Sequence, residues 1–403
     1  MRKGWEIKKL DEVCELITCG VAARPDYVDE GIPFLSAKNV KEGQIVWSGY
    51  NCISEKTHKE LTKNNKPLVG DILYTRVGSY GEAAVIEDNY EFSVFVSLTL
   101  IKVDKNLLNN YFLKHYLNSD FVKRLAKKSI SGSGVGNLNV GTVREFPIFL
   151  PPLSDQQEIV SIINYAFESI ERAKSNAEQN LKNTKELFES YLQNIFEKGN
   201  WTKTTLEKLS NKKDSIVSGP FGSNLKVSDY KEKGVPILRL QNIGKGKFIN
   251  KSIKFITTEK AEELKYHSFK SGDIVLAKLG IPIGKTCIIP DSFDDGIITA
   301  DIVRIRPDKN IVNYKFLEYF LNTNISVAQL TGNISGATRP RVNLSDVRNI
   351  KLALPKLEEQ KDIVNELDNL TMKINKLEEI LNRKINSLEE LKKSLLQKYL
   401  NAN

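Results

Sequence analysis

The chain of 403 residues matches itself at a shift of about 200 residues, and that duplication limits its fold more than any other feature. GIPFLSAKNV at 31–40 returns as GVPILRLQNI at 234–243, and GDILYTRVGSYGEAAVI at 70–86 returns as GDIVLAKLGIPIGKTCII at 272–289. FLKHYLNS at 112–119 returns as FLEYFLNT at 316–323, and NVGTVREFPIFLPPLSDQQEIV at 139–160 as NLSDVRNIKLALPKLEEQKDIV at 343–364. Trp5 and Trp201 open the two copies alike. Four matched blocks in one order mark a tandem duplication. Two copies of this size are paired domains and not the small stacking units of a solenoid. A doubled unit in one chain imitates a two-fold dimer, so pseudo-two-fold symmetry is expected.

Each copy ends in a long helical pattern. From Ser154 to Lys198 there is no Pro or Gly, and Ile159, Ile163, Ala166, Ile170, Ala173 and Ala177 recur at helical spacing, followed by Leu181, Phe188, Leu192 and Ile195. Ser154 with Gln157 suits a capping box and Lys198-Gly199 a stop. Such a helix spans about 65 Å. In the C-terminal copy Ile363, Leu367, Leu370, Ile374, Leu377, Leu381, Leu388, Leu391 and Leu395 step by four and three, with Lys384 the one polar intrusion. The central helix shifts after Ala177, which reads as a stutter. Two helices of matched length are expected to pair as an antiparallel coiled coil.

The globular part of each copy mixes strands with short helices. In the first, a short helix is expected around Lys9–Ile17, strands at Ile32–Ser36, Asp71–Arg76, Ala83–Ile86 and Phe92–Val103, and helix over Asn109–Lys128. VGSYGE reads as a tight turn, SISGSGVGN as a glycine loop, and FPIFL as a strand ended by Pro151-Pro152. The second copy has NISGATRPRVN in place of the glycine loop. The fold class is therefore α+β, divided as 1–153, a helix 154–198, 199–355, and a helix 356–403.

Composition matters chiefly through where the charge lies. The net charge is +9, of which residues 199–355 carry +10, from 25 basic and 15 acidic side chains, while the two helices carry −3 and 0. A basic globular part beside neutral or acidic helices suits a polyanion partner for the domains and a different task for the helices. The opening MRKGWEIKK has no apolar signal core, and no run reaches the roughly 18 residues of a membrane span, so a cytoplasmic protein without membrane contact is expected. Cys14, Cys19, Cys52 and Cys287 form no CxxC pair, and with three scattered histidines there is no zinc pattern. No P-loop, nucleophile elbow, deaminase motif or Asn-Pro-Pro-aromatic motif is present, so no catalytic residues are assigned.

The order GIPF/GVPI, GDIL/GDIV, a loop with NLN or RVN, then LPPLSDQQEIV/LPKLEEQKDIV before a long helix, all of it twice, resembles the specificity subunit of type I restriction-modification systems. Asp155-Gln156 stands where Glu-Gln is usual, and the second copy has Glu359-Gln360. The resemblance implies two target recognition domains, each reading one half of a bipartite, asymmetric sequence in double-stranded DNA, and helices that act as spacers. It implies partners as well, two methyltransferase subunits and motor-endonuclease subunits. This chain would then be non-catalytic and need no cofactor of its own, with S-adenosylmethionine, ATP and Mg2+ used by the partners. A ruler-like helix further implies that a one-turn insertion lengthens the unread spacer.

The expected DNA contacts are polar or basic residues of the matched loop blocks. In the first copy they are Lys38, Asn39, Arg76, Ser79, Tyr80, Ser133 and Asn137, and in the second Arg239, Gln241, Asn242, Lys278, Arg339 and Arg341. Arg reads guanine bidentately, Asn and Gln read adenine, and Lys suits phosphate. Three other readings stay open: a coiled-coil scaffold that binds no DNA, an enzyme with a dispersed site, and a specificity subunit serving another methyltransferase-based defence system.

Overall fold

A computed structural model describes residues 4–78, 80–130, 136–332 and 341–400. The chain forms two compact units, Met1–Glu178 with Leu381–Asn403, and Gln179–Ile380.

In the first unit, strand Glu6–Lys9 pairs antiparallel with Pro147–Leu150. A sheet follows in the order Cys14–Cys19, Leu98–Val103, Ile72–Thr75, Ala83–Val85, antiparallel throughout. A smaller sheet sets Ile32–Leu35 between Asn51–Ile53 and Ser93–Val94, the latter pair being parallel. The helix expected around Lys9–Ile17 does not form. A single 3-10 turn, Leu10–Glu12, sits between two strands and delivers Leu10 and Val13 to the core, and Ile17 follows from the next strand. That placement mimics helical spacing. The run Phe92–Val103 is likewise two strands in different sheets, because a turn closed by Leu98 N–H to the Phe95 carbonyl at 2.9 Å passes the chain from one sheet to the other. Asn109–Lys128 divides into helices Asn110–Leu117 and Asp120–Lys128, the second capped by the Ser119 side chain.

The second unit repeats the plan. Thr202–Thr205 pairs with Lys351–Leu354, and Ile216–Ser218, Ile302–Ile305, Ile274–Ala277 and Thr286–Ile288 form the main sheet. Its smaller sheet gains a strand: Lys254–Ile256, Val235–Leu238, Gly296–Ile298, Ser268–Phe269.

The long helices are Leu153–Lys198 and Leu357–Leu400. The first bond of the central helix runs from Gln156 N–H to the Pro152 carbonyl at 3.0 Å, so the expected capping box is absent and Ser154 lies inside the first turn. The helices pair antiparallel within each unit. In the first, Lys174 meets Glu389 and Glu171 meets Lys392; in the second, Lys185 meets Glu378 and Tyr191 meets Glu366. One number rises as the other falls.

The covered stripe of the central helix runs Ile163, Phe167, Ile170, Lys174, Ala177, Leu181, Thr184, Phe188, Tyr191, Ile195, an unbroken alternation of four and three. There is no stutter. Lys174 and Thr184 occupy seam positions that an apolar count skips. On the C-terminal helix the stripe runs Leu367, Thr371, Ile374, Glu378, Leu381, Ile385, Leu388, Lys392, Leu395, Tyr399, while Leu377, Lys384 and Leu391 are exposed. Polar seam residues that find ionic partners fix the register at some cost in stability.

Candidate nucleic-acid interface

The two units share one frame, held by polar residues that the repeat preserves. Gly70 and Gly272 have φ of +93° and +79°, where glycine is favoured, and each precedes an aspartate at the root of the main hairpin. Asp71 accepts from Leu68 N–H at 2.8 Å and pairs with Lys102. Asp273 accepts from Lys270 N–H at 2.8 Å and takes Arg306 bidentately, at 2.6 and 2.5 Å. Asn118 grips Ala83 through both its carbonyl and its amide, at 2.9 and 2.8 Å, and Asn322 grips Thr286 at 3.1 and 2.9 Å. These contacts fix the strand on the far side of each hairpin to the helix beside it.

Gln156 and Gln360 perform the same task for the long helices. Each is fully buried. Gln156 accepts from Asn109 N–H at 2.8 Å and donates to the Leu107 and Pro151 carbonyls, both at 2.9 Å. Gln360 accepts from Asn313 N–H at 2.7 Å and donates to Ile311 at 3.1 Å and Pro355 at 2.9 Å. The glutamine of the repeated D/E-Q pair therefore docks each helix on its own domain. Sequence reasoning missed this, although the repeat of Gln in both copies was the signal.

Among the expected contact residues, four have structural duties. Asn39 and Asn242 are fully buried. Asn39 donates to the Val46 and Ser48 carbonyls, both at 3.1 Å, and Asn242 to Ile249 and Lys251, both at 3.0 Å. Each also accepts a backbone N–H at 3.1 Å, from Ser36 and Arg239 respectively, so no amide proton is left for a base. Arg76 is buried and spends its guanidinium on the Leu138 carbonyl at 2.8 Å, the Val96 carbonyl at 3.1 Å and the Asn137 side chain at 3.1 Å. Lys278, at the equivalent position, is buried with its amine 2.5 Å from Ser218 Oγ. Burial, helped by the nearby Arg341 charge, lowers its pKa. As base contacts these four are corrected. They are polar because they tie loops together, which a sequence shows in the same way as a binding surface.

The others are more accessible. Lys38, Asn137, Gln241 and Arg341 are exposed, and Tyr80 and Arg239 are half-buried. Ser79, Ser133 and Arg339 lie outside the described residues. Lys38 lines a cavity of about 370 Å3 with Arg24, Tyr27, Phe34, Asn51 and Val77, so it stands near the residue that follows Arg76. Arg24, Tyr27 and Asn51 were not anticipated, although the loop AARPDY combines a cation and an aromatic ring. Gln241 and Arg239 both reach the Ser252 carbonyl.

The hairpin edges form one arrangement in both units. Val77 bridges Asn137, and Leu138 N–H donates to the Arg76 carbonyl at 2.8 Å. Leu279 bridges Arg341, and Val342 N–H donates to the Lys278 carbonyl at 3.0 Å. Arg341 pairs with Asp301 at 2.8 Å, and the Asp301 carbonyl takes Lys278 N–H at 2.8 Å. Asn137 and Leu138 in the first unit, and Arg341 and Val342 in the second, thus close on the main hairpin. Among the described residues no His, Cys, Asp and Glu cluster has the size of a metal site, and no helix is long and apolar enough to cross a membrane. Burial pushes the Cys14 and Cys287 thiols up to about 12, which leaves neither as a nucleophile at neutral pH.

Comparison with known proteins places this frame. The chain is 26% identical to the type I restriction enzyme MjaVIII specificity subunit of Methanocaldococcus jannaschii, covering 97% of this chain and 91% of that protein. It is 20% identical to the EcoKI specificity subunit of Escherichia coli, over 98% and 88% of the two chains. A chain from a structure of type I restriction-modification complex assembly superposes with a TM-score of 0.78 at 19% identity, covering 100% of this chain and 99% of the other. The HsdS subunit from Thermoanaerobacter tengcongensis gives 0.59 at 18% identity, covering 100% and 98%. The type I restriction modification DNA specificity domain is matched twice, over residues 2–183 and 177–389, and the chain belongs to that family.

Proposed function

We propose that this chain is the DNA-reading subunit of a type I restriction-modification complex. Each unit reads one half of a bipartite, asymmetric site, and the paired helices dock two methyltransferase subunits, to which motor-endonuclease subunits are added. The chain itself is non-catalytic and holds no cofactor. S-adenosylmethionine, ATP and Mg2+ serve the partners. Within each unit Lys38, Tyr80 and Asn137, or Arg239, Gln241 and Arg341, face the duplex, and the buried Asn39, Arg76, Asn242 and Lys278 hold the loops that present them.

One observation carries this reading: a single frame, built twice in one chain, presents different side chains at the same hairpin edge. Identical frames supply a common way to approach a duplex, and unlike edges supply unlike sequence preferences. Methylome sequencing of a host that expresses the chain with its methyltransferase partner tests it. The expected product is a motif of two unlike halves separated by unread bases. A continuous or palindromic motif, or no methylation together with no salt-dependent DNA binding, overturns the proposal.

A further inference from the structure

We infer that the second unit recognises thymine through apolar contact, with Ile281 and Phe221 meeting the C5-methyl group in the major groove. This rests on the reading of the chain as a DNA-sequence reader. Among the described residues these are the two most exposed large hydrophobic side chains, at 88% and 84%. Scattered exposed apolar residues are ordinary on a protein surface. These two stand on loops whose roots are joined. Phe221 follows the strand ending at Ser218, whose hydroxyl accepts from Lys278, and Ile281 lies three residues beyond Lys278 at the hairpin tip.

The tip is held in place. Gly280 and Gly284 have φ of +124° and +78°, and Gly284 N–H donates to the Ala277 carbonyl at 3.0 Å. A Cβ on Gly284 would come within 2.8 Å of Leu330 Cδ1, so the hairpin packs closely on helix Asn324–Thr331. Ile281 is therefore presented to solvent by a fixed backbone. Lys278 is buried at the root of the tip, and Arg341, which bridges Leu279 on the strand before it, is paired with Asp301.

The first unit supplies the comparison. There Tyr80 stands before Gly81 at the matched place, and it packs against the domain core. The two hairpins share their pairing, and the tip is one of the places where the two units differ in chemistry. A side chain without donors or acceptors cannot read the hydrogen-bonding edges of a base. The thymine methyl is the apolar feature of the major groove, and aliphatic and phenyl side chains are suited to it.

The test uses the full chain assembled with its methyltransferase partner and duplexes carrying the mapped target. Each thymidine of the second unit's half-site is replaced in turn by deoxyuridine, which removes the C5-methyl alone. At one or two positions affinity is expected to fall about four-fold per methyl. Ile281→Ser and Phe221→Ser should abolish that difference while leaving the melting temperature and the deoxyuridine response of the first half-site unchanged. Insensitivity to deoxyuridine at every such position, a half-site without A·T pairs, a methyl response retained in both variants, or DNA kinking without methyl sensitivity would overturn the inference. If the wild-type complex shows no sequence-specific binding, the functional reading itself falls instead.

Discussion

His115 faces the central helix from Asn110–Leu117, with its Nε2 2.8 Å from Asn164 Oδ1 and its ring edge-on to Phe167. Burial, with the neighbouring Lys114 and Lys392 charges adding to it, pushes its pKa down to about 4 from 6.5, against a smaller opposing effect of the Asn164 bond. A depressed histidine pKa means that the unfolded chain binds the proton more readily. The stabilisation is full above about pH 6.5 and is lost as pH falls from there toward 4, with a ceiling of about 3 kcal/mol. Chemical denaturation between pH 4 and 7 should show this slope for the wild type and a shallower one for His115→Gln. His58, also lowered by burial, supplies part of what remains. An equal slope in both proteins would remove His115 as its source. The same scale shows what the sequence could disclose. Asn39 and Asn242, or Gln156 and Gln360, recur in both copies because they hold the frame. A polar residue repeated in both copies marks scaffold, whereas divergence at matched positions does not by itself mark surface, since Arg76 and Lys278 differ and both are buried.

At the scale of elements, the helix pair was legible as a pair but not as a seam. Counting leucines leads through Leu377 and Leu391, yet both are exposed, and the stripe passes through Glu378 and Lys392 instead. Lys174, Lys185 and Lys392 turn seam or flanking positions into ionic contacts across the pair. Their charge hides them from a hydrophobic pattern. Leu377→Gln is therefore expected to change stability by less than about 0.5 kcal/mol, as exposed substitutions do. Leu381→Gln, at a buried position, should cost about 2–4 kcal/mol through lost packing and a buried amide. Thermal melts of the two variants decide which stripe is the seam. The strands were misread for a related reason. Leu10, Val13 and Ile17 are spaced as on a helix although a 3-10 turn and a strand carry them, and sequence spacing alone cannot separate the two.

At the scale of the molecule, chain order and unit membership part company. Leu381–Asn403 follows the second domain in sequence but belongs to the first unit. Leu396 and Leu400 are buried in the same core as Ile159, Ile163, Phe112 and Leu113, whereas Val364 and Leu367 of the same helix join the core of the second. The duplication disclosed two domains and two helices. It did not disclose that each helix is divided between the units, because helical periodicity carries no record of which core a turn enters. Ending the chain after Ile380 should consequently damage the domain farthest away in sequence. Removing two buried leucines costs about 2–5 kcal/mol each, against a typical domain stability of about 5–15 kcal/mol. Amide exchange in Asn110–Leu117 and around Ile159–Ile163 is expected to accelerate about a hundredfold or more on the scale of those losses. Ile274–Ala277 and Ile302–Ile305 of the second unit should keep their protection, since their core holds no residue beyond Leu367. If the truncated chain lost protection in the second unit and kept it in the first, the closure of the first unit by the chain's last turns would be refuted.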